Sequence, residues 1–359
     1  MPESVLTQMP SSSVSDGTGA EYRLAPSSPS KDILMLKSLT ALSLTLALLP
    51  LQALAQTTAD AWPTRPVRII APFPPGGTID QLSRMLAPVL SQSLGQPVLV
   101  ENRPGAGGAL GTGIAAKAAP DGHTFVMVFD THAVNPSLIP SMPYDTRTDL
   151  APIMLIATGT MVLTAHNSQP IKNFGQMLSE ARAKPGYPNY GTIGTGSLAH
   201  LAITQLGAMA GFTPTHVPYK GGGPLIQDAI AGHVPVSIMS VALAAQHIKA
   251  GTLTALAVTT ANRDPVLPNV PTVAEQGVAG FEATAWWGFL APAKTPPAIL
   301  ARMHAELVKA LNDPTVRERM AAQGMNRVAS SPQEFATFIE DQRSKWAKVV
   351  KDFNIKAGD

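Results

Sequence analysis

The sequence has no cysteine, few aromatic residues and little charge of either sign, and each shortage excludes something. With Cys 0 the chain has no disulfide and no lipid anchor on an N-terminal cysteine, while remaining compatible with an oxidising compartment. Aromatic residues make up 5%, and Lys+Arg 26 nearly balance Asp+Glu 24. A protein that binds nucleic acid needs a basic surface and often rings that stack on bases, so nucleic acid is excluded as a partner.

What the sequence does have is enough apolar material for a large globular protein. The 359 residues are 45% hydrophobic and 14% charged. A chain of this length and composition buries a sizeable core and is long enough for two domains of common size.

The first part of the chain has the layout of a secretory signal peptide. It reads "MLKSLTALSLTLALLPLQALAQ" from Met35, with Lys37 as the positive region, an apolar stretch over 39–51 and a small-x-small site ending at Ala55. The apolar stretch is shorter than the ~20 residues that span a bilayer. We therefore expect residues 1–55 to comprise an N-terminal extension and a signal peptide, with translation starting at Met35, cleavage after about Ala55 and a periplasmic mature protein.

The remaining chain alternates strands and helices. "VRIIA" is a short apolar strand pattern, and the following "TIDQLSRMLAPVLSQSLG" has apolar residues on one helical face, with Thr78 placed to cap the helix and Asp80 in its first turn. Further strand and helix patterns continue to residue 129, and a second series begins near Asn189. Near-continuous apolar strands between helices indicate parallel sheets covered on both faces. Two such series joined by two crossings predict two lobes and a hinge.

The last part of the chain predicts amphipathic helices that pack rather than bind. The segment "SPQEFATFIEDQRSKWAKVVKDF" begins with Ser331 before a proline and has Glu334 three residues later, which is a helix-capping pattern.

Three strand-to-helix loops are rich in glycine: "PFPPGGT" in the first series, and "GTGS" and "YKGGGP" in the second. In open α/β sheets, ligands lie at the carboxyl ends of strands, where such turns expose backbone N–H groups at helix N-termini. Glycine is also common in tight turns that bind nothing. Three such loops on facing lobes favour a site for a small anion.

Signatures of catalysis and cofactor binding are weak. "GTGSLA" satisfies the dinucleotide-binding glycine pattern, but Lys220 stands where an acidic ribose partner is expected. Ser197 is not in a nucleophile elbow, and the eight histidines show no metal-binding spacing. His132 and His200 are interpreted as residues that order loops. The Trp286-Trp287 pair is interpreted as part of the core, with the lining of a pocket as the alternative.

The chain resembles a known family, the Bug-type substrate-binding proteins of tripartite tricarboxylate transporters. The resemblance rests on an ordered series of stretches, among them "WPTRPVRIIAPFPPGGTID", "VENRPGAGGALGT", "PDGHTFVMV", "YGTIGTGSLAHL", "HVPYKGGGPLIQDAIAGHV" and "WWGFLAPAKTPPAIL", from Trp62 almost to the C-terminus. Each stretch alone is modestly specific, whereas the ordered series is highly specific.

Membership implies an α/β fold of the periplasmic binding protein type II class, with two lobes that each hold a parallel-type sheet flanked by helices and two hinge crossings. The expected lobes are residues 62–162 with 287–359, and residues 163–286. The resemblance implies no catalysis and no cofactor. It implies a carboxylate gripped by backbone amides, hydroxyls and water. By position the expected ligand-binding residues are Phe73, Pro75, Gly76, Gly77, Thr78, Asp80, Asp130, Thr131, Gly194, Thr195, Gly196, Ser197, Tyr219, Lys220 and Ser240.

Two positions depart from the family pattern. Asp130 stands in a loop where small or neutral polar residues are usual, and its carboxylate would repel a second ligand carboxylate unless it is protonated, paired or turned away. A ligand with an amine is the other option. Ser240-Val241 stand where the family often has an Asp-Asn pair.

The expected function is capture of a small mono-, di- or aromatic carboxylate between the lobes and its delivery to a membrane permease by a monomeric protein. The alternatives are a nicotinamide-dependent enzyme that uses the "GTGSLA" turn and a receptor that presents its ligand to a sensor kinase.

Overall fold

The computed structural model describes residues 62–356, and the predicted signal peptide lies outside them. Strands and helices alternate over most of this range. The strands are β1 (Val67–Ala71), β2 (Val98–Asn102), β3 (Thr124–Phe129), β4 (Leu150–His166), β5 (Gly186–Thr192), β6 (Pro214–Pro218), β7 (Val236–Ser240), β8 (Leu253–Val258), β9 (Thr284–Pro292) and β10 (Met325–Arg327). The helices are α1 (Thr78–Leu94), α2 (Ala109–Ala116), α3 (Thr131–Leu138), α4 (Phe174–Ala183), α5 (Leu198–Ala210), α6 (Gly222–Ala231), α7 (Val241–Lys249), α8 (Pro297–Asn312), α9 (Pro314–Ala322) and α10 (Pro332–Asp352).

The first sheet has the strand order β2-β1-β3-β9-β4, and β10 pairs with the outer side of β4. Strand β1 is parallel to β2 and β3, but β9 is antiparallel to both β3 and β4. The expectation of a parallel sheet is therefore wrong in part, and the sheet is mixed. The physical reason is the chain path, because β9 enters this sheet from the second one and so runs in the opposite direction.

The second sheet is built on the far end of the same long strand. Met161 in β4 pairs with Ser240 in β7, whereas Thr160 pairs with Thr284 in β9. β8 also pairs with this end of β4, and β5 lies parallel between β6 and β7. One crossing between the sheets therefore lies inside β4, and the segment 259–283 is the other.

The two crossings are tied to each other. Thr259 donates its amide to the Met161 carbonyl at 3.0 Å and its hydroxyl to the Ala283 carbonyl at 2.6 Å. The changes of strand pairing at 160/161 and 284 lie within a few residues of the predicted lobe boundaries, and the exact division of the chain into 62–162 with 287–359 and 163–286 stays a prediction.

The apolar faces predicted from helical spacing lie in the core. In α1 the side chains of Ile79, Leu82 and Leu86 are buried, and Val89 packs half-buried against the same cluster. Apolar burial of this kind is the main driving force that holds helices on sheets.

The predicted cap of α10 is present and supports a first prediction. The Ser331 hydroxyl accepts the Glu334 amide at 3.2 Å, and the Glu334 carboxylate accepts the Ser331 amide at 2.8 Å. Ser331→Ala removes one half of this reciprocal pair and is expected to lower the free energy of unfolding by about 1 kcal/mol, measured by urea denaturation. Ser179→Ala, at an exposed position inside α4, is the control and should cause no loss. Equal stability of the two variants would contradict the prediction.

Candidate functional site

Two cavities lie side by side where loops of the two sheets meet. The inner cavity has a volume of about 40 Å³, and the outer groove has about 770 Å³. Phe73 and Ile193 line both and stand between them. The inner cavity is lined by Phe73, Gly77, Thr78, Ile79, Phe129, Asp130, Met161, Ile193, Gly222, Ser240, Leu243, Ala285 and Trp287. The outer groove includes Gly194, Thr195, Tyr219 and Lys220.

Four helices begin at the inner cavity without a side-chain cap: α3, whose N-cap residue is Asp130, and three whose N-cap residue is uncharged. The N-cap residues of α1, α6 and α7 are Gly77, Gly221 and Ser240, and none of them accepts a helix amide through its side chain. By contrast, α5 and α10 are capped by the Ser197 and Ser331 hydroxyls. The first backbone amides of an uncapped helix need acceptors, so these three helix ends offer N–H donors and positive dipole ends to the cavity.

Thr78 does not cap α1, so that prediction is wrong. The N-cap is Gly77, whose backbone is extended (φ −78°, ψ 170°), and Thr78 is already helical. The Thr78 hydroxyl instead lies 3.1 Å from the Ser240 hydroxyl across the gap between the sheets. Two predicted site residues from opposite lobes therefore meet at one point.

Asp80 holds the first loop in shape rather than facing the cavity. Its carboxylate accepts the Gly76 amide at 3.0 Å, the Asn102 side-chain amide at 3.0 Å and the Arg84 guanidinium at 2.8 Å. These contacts fix the turn that precedes α1, and Asp80 is not among the residues that line the inner cavity or the outer groove.

The first loop and the glycine run of the second lobe touch each other. A β-carbon built at Gly77 would lie 3.5 Å from the Gly222 amide nitrogen, and one at Gly223 would overlap the Pro75 carbonyl oxygen. Backbones approach this closely only where side chains are absent. The two lobes are therefore in contact where the first loop meets this glycine run. Pro75 and Gly76 of the first loop are exposed to solvent.

Asp130 directly follows β3 as the N-cap residue of α3, lines the inner cavity and is 2% exposed. One carboxylate oxygen accepts the amide of Leu198, the first residue of α5, at 3.0 Å, which is a contact between the lobes. Burial raises the pKa of Asp130 to about 7, although the backbone amides of Leu198, Asp130 and Thr131 act in the opposite direction. The carboxyl group is therefore divided between its charged and neutral forms near neutral pH.

The "GTGS" turn is held from behind. Ser197 is fully buried and caps its own helix, and the Gly196 amide donates to His200 Nδ1 at 3.2 Å. Gly196 has φ +76°, and a β-carbon there would overlap Leu138 of α3. Gly196 and Ser197 therefore fix the conformation of the turn, but they line neither the inner cavity nor the outer groove. Thr131 is also buried and lines neither of them.

The remaining predicted residues lie in the outer groove. The Tyr219 hydroxyl donates to Asp228 at 2.9 Å, and burial together with Asp228 raises the pKa of Tyr219 to about 12. Lys220 is exposed. These two side chains are therefore separated from the inner cavity by Phe73 and Ile193.

The sequence reading missed most of the apolar lining of the inner cavity. Met161, Leu243 and Ala285 have the pattern of ordinary core residues, and the fold alone places them at the gap. Of the tryptophan pair, Trp286 packs on Phe335 in the core, while Trp287 lines the cavity. His132 stacks on Tyr144 and burial lowers its pKa to about 4, in line with a structural role.

Within residues 62–356 no cluster of acidic, histidine or cysteine side chains is arranged to hold a metal ion. Over the same residues no helix is both long and apolar enough to cross a bilayer.

Sequence comparison shows the family to which the chain belongs. The family model described as "Tripartite tricarboxylate transporter family receptor" matches residues 82–355, about three quarters of the chain. The chain belongs to this receptor family. The receptors of the family are periplasmic solute-binding proteins, not enzymes.

Individual receptors are similar over nearly their whole length. Protein BugT of Bordetella pertussis is 37% identical over 304 residues, which cover 84% of this chain and 93% of BugT. The structure of the periplasmic binding protein BugD has 31% identity and a TM-score of 0.79, and the match covers 82% of this chain and 99% of BugD. Rpa4515 of R. palustris, solved with adipate, has 33% identity and a TM-score of 0.79 over 82% of this chain and 99% of Rpa4515.

Proposed function

We propose that this receptor binds a small organic carboxylate between its two lobes and delivers it to the permease subunits of a tripartite transporter. The observation that carries the proposal is the convergence of three uncapped helix N-termini, from both lobes, on one cavity. Such ends attract anions because their amides are unpaired and their dipoles are positive there. The adipate held by Rpa4515, a relative of the same fold, supports a carboxylate as the ligand.

Helix dipoles alone are too weak for useful affinity. Each end contributes about 0.3–1 kcal/mol to a nearby anion, up to ~2 in a partly buried site. Micromolar binding needs about 8 kcal/mol. Direct hydrogen bonds from the amides and from the Thr78 and Ser240 hydroxyls, together with exclusion of water by lobe closure, are the sources of the difference.

Calorimetry with a panel of mono-, di- and aromatic carboxylates tests the ligand class. The expected result is saturable binding of at least one acid in the micromolar range or tighter. NAD is titrated in parallel because the "GTGSLA" turn raised the dinucleotide alternative. Binding of NAD with no binding of any acid would overturn the proposal.

The hydroxyl pair at the cavity gives a second prediction. Thr78→Ala and Ser240→Ala each remove one side of the 3.1 Å contact and a donor to the ligand. Each is expected to weaken binding of the best acid by about 1 kcal/mol, or roughly fivefold. Thr78→Ser keeps the hydroxyl and is the matched control. If Thr78→Ala and Ser240→Ala both bind as tightly as the parent, the ligand does not lie at this contact.

Delivery to a permease is tested in cells rather than in solution. Deletion of the gene should abolish uptake of the labelled acid, and the parent gene should restore it. Tight binding with normal uptake in the deletion strain would favour the sensor-kinase alternative.

N-terminal sequencing of the exported protein tests the proposed periplasmic location and cleavage after about Ala55. Gel filtration with light scattering tests the proposed monomer.

A further inference from the structure

A further concave surface lies at the edge of the first sheet. Its volume is about 620 Å³, and it shares no lining residue with the inner cavity or the outer groove. One wall is formed by α9 and by β10, the edge strand that pairs with β4. The other wall is Pro265 and Val266, which belong to the crossing 259–283. We call this surface the hinge groove.

Arginines that form no ion pair collect at the hinge groove. Arg317 and Arg319 of α9 and Arg327 of β10 are exposed and form no ion pair within the described residues. The other arginines of the described chain each bind a carboxylate, except Arg182, which donates to a backbone carbonyl. Arg317 and Arg327 line the groove, as does Glu318, which pairs with neither of them. The groove therefore carries an excess of positive charge.

The floor of the hinge groove is apolar. Met320 and Met325 line it with buried side chains, and Pro265 and Val266 add an apolar wall. An apolar centre with methionine, and arginine among the polar groups around it, is typical of protein interfaces. A lipid surface is flat and does not fill a concave groove. The observations therefore favour a protein segment that carries acidic and apolar side chains.

The hinge groove is built on both lobes. Gly324, in the turn between α9 and β10, lines it, and a β-carbon there would lie 3.1 Å from Val241 and 3.2 Å from the Asp264 carboxylate. Val241 is the first residue of α7, whose N-cap residue Ser240 lines the inner cavity. Val266 packs against the same apolar cluster as Val241. A movement of the second lobe therefore shifts one wall of the groove relative to the other.

We propose that the hinge groove docks an acidic segment of the permease through Arg317 and Arg327, and that lobe closure sets the width of the groove and so the strength of docking. The proposal rests on the proposed function, since it presumes a bound acid and a permease. A ligand and a partner that favour the same lobe arrangement strengthen each other's binding by the same factor. The permease would thereby distinguish the loaded receptor from the empty one.

Charge reversal in the deletion strain tests the docking surface. Arg317→Glu combined with Arg327→Glu is expected to lower uptake of the labelled acid about tenfold, because the new carboxylates repel an acidic segment. Calorimetric affinity for the acid should stay within about twofold, because neither residue lines the inner cavity or the outer groove. Arg319→Glu combined with Lys294→Glu is the matched control, since both residues are exposed and neither lines the hinge groove. It should transport as the parent does.

Four outcomes would overturn the docking proposal. They are normal uptake in the groove variant, an equal loss in the control, a parent dimer that the groove variant converts to a monomer, and sedimentation of the parent with phosphatidylglycerol vesicles that the groove variant abolishes. The third would assign the groove to a second copy of the chain, and the fourth to lipid. Uptake that does not depend on the parent gene would instead overturn the proposed function.

Spin labels test whether lobe closure changes the groove. The chain has Cys 0, so introduced cysteines are its only labelling sites. Pro265→Cys and Asn326→Cys place labels at exposed positions on the two walls. Their distance, measured by pulsed electron paramagnetic resonance, should change when the acid that binds best in the carboxylate panel is saturating. Labels at Lys294→Cys and Asn326→Cys, both on the first lobe, should keep their distance. An unchanged distance across the groove would overturn its link to closure.

Discussion

Replacing Gly223 by alanine is expected to weaken ligand binding about 100-fold, or by about 2.7 kcal/mol, while leaving the protein at least as stable as before. A β-carbon at Gly223 would overlap the carbonyl oxygen of Pro75 on the opposite lobe. The obstacle is a backbone atom, so no side chain can rotate away to relieve it. Gly223 has ordinary helical geometry near the start of α6, where alanine is the better helix former. The substitution therefore opposes closure rather than folding.

The reason for so large an effect is that the proposed hydrogen-bond donors to the ligand come from both lobes. The α1 end lies on one lobe, and the α6 and α7 ends lie on the other. A protein that cannot close offers only one set of donors and leaves the cavity open to water. The apparent affinity is proportional to the fraction of molecules that can still reach the closed form, so it falls when that fraction falls.

Two measurements separate closure from folding. Small-angle scattering should show the parent protein becoming more compact with a saturating acid, while the Gly223→Ala variant changes little. Gly175→Ala is the matched control, because a β-carbon there meets only ordinary contact, 3.4 Å from the Asn173 side chain. It should bind as the parent does. Binding by Gly223→Ala within threefold of the parent would contradict a closure contact at this point.

The local elements of this fold could be predicted from the sequence, but the direction of one strand could not. The β1 run, the α1 face and the Ser331 cap are encoded by neighbouring residues, and all three are present. The apolar pattern of β9 is the same whether the strand runs parallel or antiparallel. Its direction is set by the crossing 259–283, which brings the chain back from the second sheet, and no local pattern records that path.

The site divides in the same way. Glycine placement predicted the loops that meet at the cleft, because glycine is required where two backbones touch, as at Gly77 and Gly222. The roles of individual side chains were harder to predict from the sequence than the positions of the loops. The position of Ser197 in the "GTGS" turn predicts a hydroxyl that binds the ligand, but in the structure its oxygen caps its own helix. Met161 reads as core, and only the change of pairing within β4 places it on the cavity.

Gly288→Ala is expected to lower the free energy of unfolding by about 3 kcal/mol, more than Ser331→Ala does. Gly288 lines neither the inner cavity nor the outer groove. Gly288 lies in β9 between the neighbouring strands β3 and β4, beneath α10. A β-carbon there would overlap the end of the Phe335 ring, with two further ring carbons at 2.8 Å. Phe335 is fully buried against Trp286 and Ile339, so the ring has little space to move into. Overpacking of a dense core costs typically about 1–3 kcal/mol, and the rigidity of both partners places this case at the upper end.

A double-mutant cycle tests the cause by urea denaturation. Phe335→Leu alone should destabilise by removing buried ring atoms, but it also makes room at Gly288. If the collision is the cause, the double variant should be more stable than the sum of the two single losses predicts, by about 1–3 kcal/mol. Strict additivity would show that the two sites do not interact. The loss of stability in Gly288→Ala would then come from the strand backbone and not from a collision with the Phe335 ring.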